Sequence, residues 1–169
     1  MATVKGMDRL RAKLRALPKE AKKEIREALE KSAGEVVRMA KQLAPYESGD
    51  LRNSIGYTFG TYRPDNSNVR GMSATISDGD PDLTVTIHAG DKKAWYARLV
   101  EFGTAAHTIR SKRPGGLLNI NGRLIEQVSH PGGSPRPFFY PAWRANKRRI
   151  RGRLTRATRK AAQKVASAP

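Results

Sequence analysis

The sequence predicts an α+β fold: a long N-terminal helix and a basic C-terminal helix packed on a small, mainly antiparallel β-sheet. Three observations lead there. From Met7 to Ala44 apolar residues recur at steps of three and four. From Leu51 to about Val128 the chain turns to short runs of Thr, Val, Ile and aromatics, cut by Gly, Pro, Asn and Asp. From Pro141 to Ala166 the helical spacing returns, now among arginines and lysines. Helices, then strands, then a helix is the order of an α+β domain. The 169 residues make a single domain at roughly 100–200 residues each, with residues 1–17 and 160–169 as candidate mobile ends.

In the first segment Met7, Leu10, Leu14, Leu17, Ala21, Ile25, Ala28, Leu29, Ala33, Val36, Val37, Ala40 and Leu43 form one stripe, with Lys, Arg and Glu opposite. Pro18 interrupts it. Proline suits a first helical turn but not an interior, so a short helix ends near Leu17 and a long one runs from Pro18 to about Leu43. Pro45 marks the stop, because the residue before a proline is driven out of the helical region.

Leu51–Phe59, Met72–Ser77 and Leu83–Ala89 read as strands. In the last of these, Leu83, Val85 and Ile87 face one way and Thr84, Thr86 and His88 the other, which puts His88 on the outward face. TYRPDNSNVRG is a polar loop and GDPD a turn. Trp95, Tyr96, Leu99, Val100 and Phe102 suit a short helix packed on the sheet and ended by Gly103. Thr108 to Val128 holds two further apolar runs with RPGG and NING as turns, either a hairpin or an ordered loop. Trp143, Ile150, Leu154, Ala157, Ala161 and Val165 make the stripe of the last helix.

The formal net charge is +18 and the pI near 10.8, so polyanions attract this chain. It has no cysteine. That removes disulfides, zinc–thiolate sites and thiol nucleophiles, and fits a reducing compartment. The start, MATVKGMDRL, has no apolar core of a secretory signal, and no apolar run approaches the ~20 residues of a membrane span.

Catalytic signatures are missing. His88, His107 and His130 lie in no metal-binding spacing. The latter two fall in loops, so a metal site built on them would need a coincidence of the fold. There is no GxSxG elbow, P-loop or GxGxxG. Ser48 in ESGD reads as local hydrogen bonding within a turn. A paired-carboxylate site would need Glu47, Asp50, Asp91 or Glu101 to converge. No catalytic residue, metal or cofactor is therefore expected. Glu101 lies between Val100 and Phe102; if buried it needs a partner, and Arg52, Arg98 and Arg136 are candidates for a structural ion pair.

The last helix carries Arg144, Lys147, Arg148, Arg149, Arg151, Arg153, Arg156, Arg159, Lys160 and Lys164, and no acidic residue follows Glu126. Ten like charges on one helix repel one another, which points to an anionic neighbour. An acidic protein surface is favoured, with nucleic-acid phosphates next and a solvated face after that. A membrane fits least, because bulky apolar anchors are few. Just before this helix, Pro135 and Pro137 hold an extended segment that presents Arg136, Phe138, Phe139 and Tyr140. These aromatics are core anchors, the favoured reading, or an intersubunit contact.

Three segments together carry a family resemblance: AKQLAPYESGDLRNSI (Ala40 to Ile55), WYARLVEFGT (Trp95 to Thr104) and HPGGSPRPFFYPAW (His130 to Trp143). In this order and spacing they resemble the minor tail or tail-completion proteins of long-tailed phages, prophages and gene transfer agents, over about Lys22 to the end. The positions carrying the likeness are Pro45, Gly49, Leu51, Ile55, Tyr96, Glu101, Phe102, Gly103, Pro137 and Pro141. Physically, Pro45 ends the helix and Gly49 allows a tight turn, so that Leu51 and Ile55 enter the sheet. Gly103 lets the chain leave a packed element, and Pro141 starts the last helix.

The resemblance implies a structural virion protein of the head–tail junction, assembled in the host cytoplasm, without enzymatic activity or cofactor and without a membrane. Implied partners are further copies in a hexameric ring, head-side connector or stopper proteins, a tail terminator or tail tube protein, and passing double-stranded DNA. Tail completion, tail termination and head closure are neighbouring jobs that it does not separate. A rival of another class is a nucleic-acid-binding protein using the Arg-rich helix. An enzyme, such as a small hydrolase or nuclease, lacks its constellation.

Overall fold

A computed structural model describes residues 19–64, 80–113 and 115–166. The short helix expected before Pro18, the strand expected at Met72–Ser77 and most of the polar insert lie outside those residues. The architecture is α+β, as expected, in the order α1 (Lys19–Leu43), α2 (Asp50–Asn53), β1 (Gly56–Phe59), β2 (Val85–His88), α3 (Ala97–Phe102), β3 (His107–Arg110), β4 (Leu118–Ile120), β5 (Arg123–Ile125), β6 (Gln127–His130) and α4 (Phe139–Ala166). The strands form three separate antiparallel pairs, β1–β2, β3–β6 and β4–β5, in place of one sheet.

The two long helices are the scaffold. α1 buries Ala21, Ile25, Ala28, Ala33, Val36 and Ala40 from the expected stripe, and Ser32 with them. Leu43, at the end of that stripe, is 48% exposed. α4 runs antiparallel to it: Ala161 packs on Ala21 and Ile25 at one end, while Asn146 meets Met39 at the other. Alanines on both helices allow close approach and good dispersion contact. α4 buries Ala142, Asn146, Ile150 and Ala161, whereas Trp143 stays 37% exposed. The inward face is thus turned by about one residue from the expected stripe, because a carboxamide replaces an apolar side chain in it. Asn146 tolerates burial because it is bonded: Nδ2 donates to the Ala142 carbonyl (2.8 Å), and Oδ1 accepts from Arg149 (2.7 Å). α4 begins two residues before Pro141, so the proline falls in the first turn, where its missing N–H costs nothing.

Leu51 was expected in a strand and lies instead in the helical turn α2. Gly49 takes a left-handed conformation (φ 89°) before it. Ser48 then donates to Asp50 Oδ2 (2.6 Å) and accepts from the Asp50 N–H (3.3 Å). Such local bonds favour turn over strand. Arg52 donates Nε and Nη2 to the Ala44 carbonyl and ties this turn to the end of α1. Leu51 and Ile55 are both buried, and the strand starts only at Gly56.

The core holds Val36, Ala40, Leu51, Ile55, Ala97, Phe138 and Ile150, with Ile87, Tyr96, Val100 and Phe139 packed on its margin. β2 supplies Ile87 to it. His88 was expected on an outward face and is half-buried: its ring stacks on Tyr62 (4.3 Å) and touches Thr58 Oγ1 (3.3 Å). The chain after β1 folds back and covers that face. In α3 the inward residues are Ala97 and Glu101, while Leu99 and Phe102, expected to pack on the sheet, are 39% and 60% exposed.

Candidate functional site

Three features distinguish the surface and the joints beneath it: a buried carboxylate at the root of α4, a ladder of ion pairs along one side of α4, and a largely exposed β-ribbon.

Glu101 is buried. It makes no ion pair with Arg52, Arg98 or Arg136; the finding replaces that expectation. Oε2 accepts from the backbone N–H groups of Phe138 (2.7 Å) and Phe139 (2.9 Å), and Oε1 from that of Tyr140 (3.0 Å). These are the opening amides of α4, which have no partners inside the helix. A carboxylate there is favoured by charge-assisted hydrogen bonds and by the positive end of the helix dipole. Glu101 therefore pins α3 to the N-terminus of α4. The Arg136 backbone N–H donates to the Val100 carbonyl (2.8 Å) beside it. The signal was present in the sequence, a lone Glu in an apolar run, but its partners are main-chain groups that no side-chain pattern reveals.

The aromatics of the extended segment divide. Phe138 is fully buried and belongs to the core, and Phe139 is half-buried on its margin. Tyr140 is 50% exposed and packs against the exposed ring of Phe102 (5.8 Å). Pro137 and the Arg136 side chain are exposed.

The ten cations of α4 also divide. Arg149 and Arg153 close on Glu35 of α1 (3.1 and 2.7 Å), and Lys160 and Lys164 on Glu24 (3.0 and 2.6 Å). Each carboxylate is gripped by two cations one helical turn apart. Arg153 also donates to Ser32 (2.9 Å), which explains that buried hydroxyl. The pairs to Glu24 come from Lys160 and Lys164 near the end of α4. Arg149 and Arg153, expected as partner contacts, thus both pair with Glu35 within the chain, with Arg153 mostly buried and Arg149 exposed. Arg144, Lys147, Arg148, Arg151, Arg156 and Arg159 remain exposed, with no carboxylate partner among the described residues.

Hydrogen bonds from Arg153 hold the Glu35 carboxyl below its ordinary range, and those from Lys164 and then Lys160 do the same for Glu24. A carboxylate with a lowered folded value contributes stability above its unfolded pKa and loses it as pH falls through the folded one. The melting temperature is therefore expected to fall from about pH 4.3 downward. Glu35→Gln should melt lower than the parent at pH 7 and show a shallower acid decline. Parallel pH curves for the two proteins would contradict this ladder.

The ribbon spans Thr104 to Gly133. Reciprocal bonds between Thr104 and Gly133 (2.9 and 3.1 Å) close its root. β3 pairs with β6, and β4 with β5 across Asn121–Gly122, both at positive φ as a type I′ turn requires. Of the hairpin and the ordered loop, the hairpin is what forms. Ile109, Ile120 and Leu124 are exposed, and among the described residues the ribbon makes no extended contact with a helix.

His107 and His130, expected in loops, are cross-strand partners with rings 5.1 Å apart. His107 Nδ1 lies 3.0 Å from the Ala105 carbonyl, so it carries the proton; His130 Nδ1 accepts from the Gly132 N–H (3.0 Å), so its Nε2 carries the proton. Among the described residues no three His, Asp or Glu side chains gather as metal ligands, and no helix is long and apolar enough to cross a membrane.

A search of the curated proteins and one of the solved structures returned no match to this chain. A family model does match, over residues 8–103, and it is described as "Bacteriophage HK97-gp10, putative tail-component". The match takes in α1, α2, β1–β2 and α3 and stops at Gly103, at the root of the ribbon. Two of the three segments that carried the resemblance lie within it but for Thr104, and His130 to Trp143 lies beyond. With more than half of its length matched, the chain belongs to the HK97-gp10-like family of phage tail components.

Proposed function

We propose that this tail component is a neck protein, which completes the tail and joins it to the head-side connector as a ring around the DNA channel. The observation that carries the reading is the ribbon. An isolated two-stranded ribbon is marginally stable in water, and this one leaves Ile109, Leu117, Ile120 and Leu124 exposed. A projecting arm of that kind fits contact with a neighbouring copy. Head-to-tail contacts repeated around an axis close into a ring.

On this reading α1 and α4 supply the rigid wall, the ribbon reaches the adjacent copy, and one rim meets the connector or stopper while the other meets the terminator or tube. The work is geometric, and no turnover is involved. Electron microscopy of particles made with the gene silenced tests it. Filled heads beside separate tails of normal length are expected. Overlong tails would move the role to tail termination, and joined, infectious particles would overturn the neck assignment.

A further inference from the structure

We infer that the outward face of α4 is a binding surface for the phosphate backbone of double-stranded DNA, without sequence preference. The inference concerns this helix face and stands whether or not the chain sits at the neck. Arg144, Lys147, Arg148, Arg151, Arg156 and Arg159 are exposed and occupy the half of the helix turned away from α1. The cations on the inward half are matched by Glu24 and Glu35; these six are matched by nothing in the described chain.

Among the described side chains, a second copy offers few free carboxylates to supply the missing charge. Glu24 and Glu35 are held by α4, Asp80 and Asp82 by Lys22 and Arg26, and Glu101 by the α4 amides. The carboxyl groups of Asp50 and Asp91 take local hydrogen bonds. Among the acids whose side chains are described, Glu27, Glu30, Glu47 and Glu126 are left, and they are spread over α1, the loop after it and the ribbon. The described carboxylates thus leave the strip to a polyanion from outside the chain.

Between an acidic protein and a duplex, the face favours the duplex. Protein–protein interfaces are depleted of charge at their centres, with Arg the cation they do use, whereas protein–DNA interfaces are much more positively charged throughout. From Arg144 to Arg159 the helix extends about 22 Å at 1.5 Å per residue. A duplex presents a phosphate about every 1.7 Å of axis, so the whole strip finds partners on one side of one duplex. Contacts from these side chains to phosphates fix position on the duplex and carry no sequence information.

The test is fluorescence anisotropy of a labelled mixed-sequence duplex with the full-length protein, from about 50 to 200 mM salt. The strip variant is Arg148→Gln/Arg151→Gln/Arg159→Gln. The control, Lys23→Gln/Lys31→Gln/Arg38→Gln, removes the same charge from exposed positions on α1. Far-UV circular dichroism checks that both fold. The strip variant should lower the slope of log K against log salt by about 2.7, at about 0.9 per lost phosphate contact, and the control should leave the slope near that of the parent. Equal losses in both variants would reduce the effect to net charge and overturn the inference. So would an unchanged strip variant, which would hand the face to an acidic protein or to solvent, or absence of binding by the parent at the lowest salt. None of these outcomes bears on the silencing experiment, so the two readings fail separately.

Discussion

Replacing Glu101 by Ala is expected to cost about 3 to 5 kcal/mol of stability, taking 1–3 kcal/mol for each buried donor left without an acceptor. Three donors lose their partner at once, the N–H groups of Phe138, Phe139 and Tyr140. Water recovers part of the loss at Tyr140, which lies near the surface, and least at Phe138, which is sealed in the core. A domain of this size has roughly 5–15 kcal/mol in total, so the variant should be marginal at 37 °C. Glu101→Gln keeps one acceptor but brings an amide donor toward backbone donors, and should fall between Ala and the parent. Urea unfolding measures the ranking, and amide exchange at 138–140 localises it. A loss below about 1 kcal/mol for the Ala variant would mean that α4 opens without needing this cap.

How much of this was legible in the sequence depends on the range of the interactions involved. The long helices were, because their periodicity is local: the stop at Pro45, the start near Pro141 and most of the α1 stripe follow from side-chain spacing alone. The Asn121–Gly122 turn was readable for the same reason. What escaped depends on which backbone lies next to which side chain. Glu101 looked like half of an ion pair because sequence displays its arginine neighbours and hides the amides of residues almost forty positions away. His107 and His130 looked like loop residues because the strand pairing that brings them together spans the whole ribbon. The arginines of α4 looked equivalent in composition. Only the position of α1 separates those that build the fold from those that face outward.

Gly103→Ala should rival the loss of Glu101, and by a related route. Gly103 has φ 72° and ψ −175°, a region open almost to glycine alone, where a side chain costs about 1–3 kcal/mol in strain. A Cβ at this position would also press on the Gly133 carbonyl and on the nitrogen and Cδ of Pro135, at 2.5, 2.9 and 3.0 Å. These are backbone and ring atoms that cannot rotate away, so the two chains must part, at about another 1–3 kcal/mol for overpacking. Parting them moves the root of the ribbon and the segment that delivers Phe138 to Glu101. The two substitutions thus strike one joint. Combined in a single chain, Gly103→Ala and Glu101→Ala should cost less than the sum of their separate effects, with a coupling of about 1 kcal/mol or more. Strict additivity would mean that Gly103 acts on the ribbon alone, and that ribbon and helix are hinged independently at the body.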